Sequence, residues 1–152
     1  MRRTDKEITD RTWIDTVISE ARYLTLSLAM PDGKPYAVVL SHVYDGENFY
    51  FHCAKEGLKL DIIKANSKAA FSLVSFAEYY ENPQTRSYTM HYKSVAGFGN
   101  AEIVTDFDEK KKALMMIKEK FIRTPYEITE NIVNSVCIIR LRTDEIYGKC
   151  SQ

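Results

Sequence analysis

The chain has 152 residues, of which 45% are apolar and 28% are charged, and its 21 basic residues balance its 21 acidic ones. This length and composition are typical of one soluble globular domain, so we expect residues 1–152 to form a single unit. The zero net charge argues against nucleic acid as a partner, and no window approaches the roughly 18 apolar residues of a membrane span.

The first half of the chain predicts one helix and three strands separated by two turns. Asp10 is the expected N-cap of the helix, whose apolar residues share one face. Strict alternation indicates that the first strand is half-buried. The helix is expected at 10–21, the strands at 22–30, 36–43 and 49–53, and the turns at 31–34 and 45–48.

The second half adds two helices and three strands, and a polar, aromatic segment with Pro83 is interpreted as a loop. Gly97 and Gly99 predict a bend in the long strand, and Asp106 with Glu109 predicts a capping box. The helices are expected at 58–66 and 109–121, the strands at 69–76, 87–104 and 134–142, and the loop at 78–86. Six mostly hairpin-connected strands with inserted helices indicate a mainly antiparallel β-barrel with helices on its rim.

Residues 49–63 run from a strand through a short basic loop into a helix. The start of a helix offers free N–H groups and the positive end of the dipole, so this junction suits a phosphate. Lys55 and Lys59 lie on either side of Gly57 and add positive charge. Neither GxxxxGK[ST] nor GxGxxG occurs there.

The strand at 49–53 sorts its side chains between two faces. Phe49, Phe51 and Cys53 suit a barrel interior, whereas Tyr50 and His52 point outward. An outward aromatic side chain needs a cover, which a ligand or a second subunit can supply. The alternative for His52 is an ordinary edge histidine without a role.

The remaining candidates leave alternatives open. Residues 37–42 are nearly all apolar, which favours a central core strand, but such a strand can also offer its backbone to a planar ligand. Ser94 is either a ligand hydroxyl or an exposed strand serine. No GxSxG, HExxH or paired metal ligands occur. Unpaired Cys53, Cys137 and Cys150, and a charged first segment without an apolar stretch behind it, predict a cytoplasmic location.

Three blocks of the sequence resemble one known family: PYAVVLS at 35–41, YFHCAKEGLKLDII at 50–63 and YKSVAGFGNAE at 92–102. They are similar to the nitroimidazole-resistance (Nim-type) branch of the pyridoxamine 5′-phosphate oxidase-like flavoproteins. The resemblance covers nearly the whole chain in order. It implies a six-stranded antiparallel FMN-binding split β-barrel that works as a homodimer, with FMN in a groove between the subunits.

The resemblance also implies roles for particular residues. The FMN phosphate would lie at Leu58 and Lys59, the isoalloxazine would lie along the second strand, and His52 would line the substrate pocket as the catalytic candidate. The implied cofactor-binding residues are Val38, Val39, Leu40, Ser41, His52, Cys53, Lys55, Leu58, Lys59 and Ser94.

The implied function is an FMN-dependent oxidoreductase that reduces a small acceptor of nitroaromatic type with electrons from a reduced nicotinamide. The alternative is a non-catalytic flavin or haem carrier or sensor that uses the same dimer groove. Val39 stands where the Nim-type branch commonly has proline. The chain also lacks the distinctive Trp- and Arg-containing C-terminal segment of the pyridoxamine phosphate oxidases proper, so their activity is not expected.

Overall fold

The computed structural model describes residues 4–151, so the first three residues of the charged N-terminal segment lie outside the described residues. A short 3₁₀ turn at Thr4–Lys6 precedes the first strand. The strands are β1 (Glu7–Ile8), β2 (Tyr23–Ala29), β3 (Pro35–Ser41), β4 (Val43–Tyr44), β5 (Asn48–Cys53), β6 (Lys68–Asn82), β7 (Ser87–Val104) and β8 (Cys137–Ser151). The helices are α1 (Arg11–Glu20), α2 (Leu58–Ala65), α3 (Phe107–Phe121) and α4 (Glu130–Ser135). Within residues 4–151, no helix is long and apolar enough to cross a membrane.

The eight strands form one antiparallel sheet in the order β3-β2-β6-β7-β8-β5-β4, with β1 added beside β8. The sheet curls without closing, and β3 and β4 lie at its two ends. This arrangement confirms the predicted mainly antiparallel barrel with helices. The two strands beyond the six expected, β1 and β4, have two residues each.

The main core lies inside the curled sheet, where α1 and α2 pack against the inner faces of the strands. Phe49 and Phe51 are fully buried there, as the alternation predicted. Cys53, expected on the same face, is half-buried at the end of β5. Asp10 caps α1 by accepting hydrogen bonds from the N–H groups of Thr12 and Trp13.

A second apolar cluster lies on the opposite side of β5 and corrects the expectation for Tyr50. Tyr50 is only 4% exposed, because α3 and α4 cover it. Its hydroxyl donates to Glu109 Oε1 at 3.1 Å, and the same oxygen accepts from Arg140 Nη1 at 2.8 Å. Burial, followed by the nearby carboxylates of Asp45 and Glu109, raises the pKa of Tyr50. Tyr50 therefore needs no ligand or second subunit as its cover.

The long hairpin of β6 and β7 corrects a second expectation, because residues 78–86 are not all loop. Strand β6 continues to Asn82, which pairs with Ser87, and only the turn at 83–86 is irregular. Both faces of this extension are solvent-exposed, so its sequence carries no apolar alternation. The predicted bend is confirmed by a register shift between Phe98 and Gly99.

Two boundaries also differ from the sequence prediction. Strand β8 runs from Cys137 to Ser151 rather than over 134–142, since β7 and β1 pair with its charged second half. The residues before it form the short helix α4. Helix α3 starts at Phe107, two residues before the predicted start, and Asp106 caps it through the N–H of Glu109 at 2.8 Å.

Candidate functional site

The start of α2 is an open helix N-terminus. Its N-cap is Gly57, which supplies no capping side chain. The φ of Gly57 is 138°, in a region that other residues rarely adopt. The N–H groups of Leu60 and Asp61 bond to the carbonyl of Gly57, at 2.9 and 3.3 Å. The preceding N–H groups of the first turn lie outside the helical ladder and are available to an external acceptor.

Five of the predicted site residues lie together at this β5–α2 junction, which we define as residues 52–59. His52 and Lys55 are exposed, Leu58 is 52% exposed, and Cys53 and Lys59 are half-buried. Lys59 lies close enough to Cys53 to oppose the rise in that thiol's pKa. A lysine in the first turn of a helix is unfavourable for the helix dipole unless an anion is bound there. The junction therefore has the electrostatics of an anion site.

Strand β3 carries the next four predicted residues and lies at the edge of the sheet. Among the described strands it pairs only with β2, so the backbone groups on its other side are free of the sheet. Val38 and Leu40 pack against the main core, whereas Val39 is 63% exposed. The central core strand favoured by the apolar pattern is thus wrong, and the edge geometry suits a planar ligand.

The turn that leads into β3 lies beside α2. A groove of about 400 Å³ separates α2 from the turn between β2 and β3, and Leu58 lines it opposite Met30 and Pro31. Asn66, after the last turn of α2, donates to the carbonyl of Ala29 at 3.2 Å and ties the helix to β2. The β2–β3 turn, rather than β3 itself, is therefore the part shown beside α2.

Ser94 lies on a different part of the sheet. Val39, Thr25, Ser72 and Ala96 form one row across β3, β2, β6 and β7. Ser94 is two residues from Ala96, so about three strand spacings, or roughly 14 Å, separate its strand from β3. Its hydroxyl donates to the carbonyl of Lys149 at 3.3 Å. Within a single copy of the chain, Ser94 therefore does not lie at the edge of β3.

The outer face of the strands between β3 and Ser94 exposes large apolar side chains. Tyr23, Val39, Val74 and Phe98 are exposed to 57%, 63%, 54% and 49%. Apolar side chains gathered on one sheet face mark a surface for a ligand or another chain. We call these four residues the outer apolar face.

A second lysine–histidine pair lies away from these residues. His42 is fully buried, and its Nε2 lies 3.2 Å from the carbonyl of Ile18 and 3.4 Å from Lys120 Nζ. Lys120 Nζ also donates to the carbonyl of Ala21 at 2.9 Å. Burial, helped by the charge of Lys120, lowers the pKa of His42 to about 4, and burial lowers the pKa of Lys120 to about 8.

This pair contacts the carbonyls at the C-terminal end of α1, and Lys120 also lines a cavity of about 540 Å³ between α1 and α3. Sequence reasoning missed it, because Lys120 and His42 lie 78 residues apart and neither belongs to a local motif. The cavity is larger than the groove beside α2, but none of the predicted site residues lines it.

Comparison with known proteins identifies the family. The model of the pyridoxamine 5′-phosphate oxidase family matches residues 10–150. The chain belongs to this family. The match includes the β5–α2 junction, β3 and Ser94, and the observed fold is the split barrel of the pyridoxamine 5′-phosphate oxidase-like proteins. No curated protein matches the chain.

Several solved structures share the fold of this family member. A candidate 5-nitroimidazole antibiotic resistance protein from Bacteroides thetaiotaomicron has a TM-score of 0.84 at 23% identity, with 94% of this chain and 85% of that chain covered. The flavocytochrome Anf3 from Azotobacter vinelandii has a TM-score of 0.84 at 13% identity, covering 100% and 72%. The FAD and heme binding protein from Mycobacterium smegmatis has a TM-score of 0.84 at 20% identity, covering 97% and 74%.

Proposed function

We propose that this protein is a flavoprotein that binds FMN and passes electrons from a reduced nicotinamide to a small acceptor of nitroaromatic type. The observation that carries the proposal is the open N-terminus of α2, with Gly57 as its N-cap and Lys59 in its first turn, in a member of this family. The names of the Azotobacter flavocytochrome and of the Mycobacterium FAD and heme binding protein support the flavin assignment. The name of the Bacteroides protein, which refers to 5-nitroimidazole resistance, supports the acceptor class.

The junction fits the phosphate of FMN. The free N–H groups of the first turn donate to phosphate oxygens, and Lys59 and Lys55 neutralise their charge. The exposed carboxylates of Glu56 and Asp61 balance the formal charge of these two lysines. The expected attraction of a dianion therefore comes from the free N–H groups and the helix dipole, with Lys59 as the local cation.

The edge of β3 fits the ring system. Its unpaired N–H and C=O groups can hydrogen-bond to a heterocycle that lies along Val38 to Ser41, and the exposed side chain of Val39 offers an apolar contact. When bound, FMN supplies the redox chemistry, and the protein supplies position and electrostatics.

The proposal includes a homodimer, for which two observations argue. Ser94 lies three strands from β3 within one chain, so a second copy is the simplest way to bring a Ser94 hydroxyl to the same ligand. The outer apolar face is exposed in the single chain and would be covered by that copy.

His52 is the proposed proton donor and orienting group for the acceptor. It is exposed beside the junction, and histidine is the side chain best suited to gain and lose protons near neutral pH. In the proposed site it holds a proton at an imidazole nitrogen, towards the acceptor.

An absorbance spectrum of the purified protein, before and after addition of FMN and then of NADPH, tests the function. We expect a yellow protein, or a colourless one that takes up FMN, and bleaching of the flavin bands by NADPH. Protein that remains colourless with excess FMN would contradict the cofactor assignment.

The His52→Ala variant separates catalysis from binding. We expect FMN affinity within about threefold of wild type and turnover of a nitroaromatic acceptor lower by about 10²-fold, the usual range for a positioned proton donor. His91→Ala is the matched control, because His91 lies on the β6–β7 hairpin stacked on Tyr80. Equal turnover in wild type and His52→Ala would remove the catalytic role.

A non-catalytic flavin or haem carrier is the second candidate, since two of the structurally similar proteins are a flavocytochrome and a FAD and heme binding protein. Stopped-flow mixing of the FMN-loaded protein with NADH or NADPH separates the two. Bound flavin that is not reduced within minutes, or a stoichiometric haem spectrum on addition of haemin, favours the carrier.

A further inference from the structure

Two of the three cysteines lie directly opposite each other on neighbouring strands. Cys53 ends β5 and Cys137 begins β8, and the antiparallel register pairs them. Both are free thiols. Directly opposed residues of an antiparallel pair project to the same face of the sheet, so the two thiols share one side of it.

The backbone spacing at this position matches that of a disulfide. Opposed residues in an antiparallel pair have Cα atoms about 4.5 to 5.5 Å apart, and disulfides span Cα separations of about 4.4 to 6.8 Å. The Cβ atoms of such a pair must approach by only about 1 Å to reach the usual disulfide spacing. Closure therefore needs no rearrangement of the sheet.

The thiols of Cys53 and Cys137 are close enough to affect each other's protonation. Burial, together with the neighbouring Cys137, raises the pKa of Cys53 to about 11, and the charge of Lys59 on α2 opposes this rise. Cys137 is 9% exposed, whereas Cys53 is half-buried and is the one that a reagent from solvent can reach. His52, adjacent in sequence, points to the other face of β5.

We propose that Cys53 and Cys137 are a reversible disulfide site that reacts with low-molecular-weight disulfides. The Cys53 thiolate attacks one sulfur of the reagent, forms a mixed disulfide and releases one thiol. The Cys137 thiolate then attacks Cys53 Sγ, closes the intramolecular disulfide and releases the second thiol. The protein loses two hydrogens and two electrons, and the reagent disulfide is reduced to two thiols.

The bridge would act on the segment that follows it. The loop at 54–57 leaves β5 directly after Cys53 and leads into α2. A bond from Cys53 to Cys137 would fix that end of β5 against β8. The inference does not rest on flavin binding, since it concerns only the pairing of β5 and β8.

Oxidised glutathione tests the site on the wild-type protein. After incubation at pH 8.5 and removal of the reagent, a thiol titration under denaturing conditions is expected to fall from three thiols to one. Peptide mapping without reduction should join the Cys53 and Cys137 peptides, and dithiothreitol should restore all three thiols. The reaction should be slower at pH 7, because the attacking species is the thiolate.

Two variants make the assignment specific. Cys150→Ser should still lose two thiols, because Cys150 lies opposite Lys93 on β7 and is not part of the pair. Cys53→Ser should form no intramolecular bridge. Three titratable thiols in oxidised wild-type protein, stable glutathione adducts without a bridge, or a bridge to Cys150 would each overturn the proposal. The mapping uses wild-type protein, so it does not depend on the folding of a variant.

Discussion

Two helix ends in this fold each carry a lysine with a histidine nearby, and they differ in every other respect. At the C-terminal end of α1, Lys120 and His42 contact the carbonyls of Ala21 and Ile18, and His42 is fully buried while Lys120 is half-buried. At the N-terminal end of α2, Lys59 lies in the first turn and His52 is exposed. The first pair complements the helix dipole, whereas Lys59 opposes it.

The difference separates a lysine whose charge stabilises the fold, Lys120, from one whose charge is available to a ligand, Lys59. Lys120 has backbone acceptors within the chain, so its role is complete without a ligand. Lys59 stands beside N–H groups that have no helical acceptor, and an external anion would satisfy both. The same two residue types thus predict opposite responses to substitution, and three experiments test this difference.

The largest expected effect concerns the pH dependence of stability through His42. Its pKa of about 4 in the folded state lies below the 6.5 of an unperturbed histidine, so the unfolded state binds the proton more readily. The stabilisation is present above pH 6.5 and is lost as the pH falls towards 4. We expect the free energy of unfolding to drop by about 3 kcal/mol over this window.

Urea denaturation at several pH values measures this drop, and the ring resonances of His42 in NMR spectra show its titration directly. A His42 that protonates near pH 6.5 in the folded protein would contradict the buried, neutral state.

The next largest effect is expected for Lys120→Met, which keeps the aliphatic length and removes the amine. The carbonyl of Ala21 loses a charge-assisted hydrogen bond, so the free energy of unfolding should fall by about 2 kcal/mol, while FMN affinity should not change. Lys111→Met is the control, because Lys111 is exposed on the same helix. Equal stability of both variants would show that the contact contributes nothing.

The smallest effect is expected for Lys59→Ala, and it appears in binding rather than stability. FMN affinity should fall about tenfold, or about 1.4 kcal/mol, because one charged contact to the phosphate is lost. The melting temperature without FMN should stay the same or rise, since a dipole-opposing charge is removed. Lys64→Ala, in the last turn of α2, controls for helix charge, and an equal loss of affinity in both would argue against a local phosphate contact.

The parts predicted well from sequence are those whose determinants are local. The junction at 52–59 is contiguous, and its strand, glycine and helix start are visible as a pattern. The expectation for Tyr50 was wrong because the helix that covers it lies some 60 residues further along the chain. Apolar alternation shows that a face is buried but not which element buries it.

The predicted ends of β6 and β8 were wrong for a related physical reason. Strand β6 continues into a solvent-exposed segment, and β8 continues into a charged, mostly half-buried one. Pairing with β7, and for β8 also with β1, keeps these segments extended. Such segments have no apolar signature, so their extent depends on partners that a local pattern does not contain. The sequence likewise did not predict the pairing of Cys53 with Cys137, because it follows from the register of β5 against β8 and not from the spacing of cysteines along the chain.

The position of β8 has a consequence for synthesis of the chain. Among the strands of residues 4–151 it is translated last, yet it lies between β7 and β5 and also pairs with β1. Until it emerges from the ribosome, the β3-β2-β6-β7 layer and the β5–β4 hairpin have no strand between them. Between translation of β7 and translation of β8, the nascent chain therefore has unpaired edges at β7 and β5, and the sheet beside the β5–α2 junction is complete only once β8 has been translated.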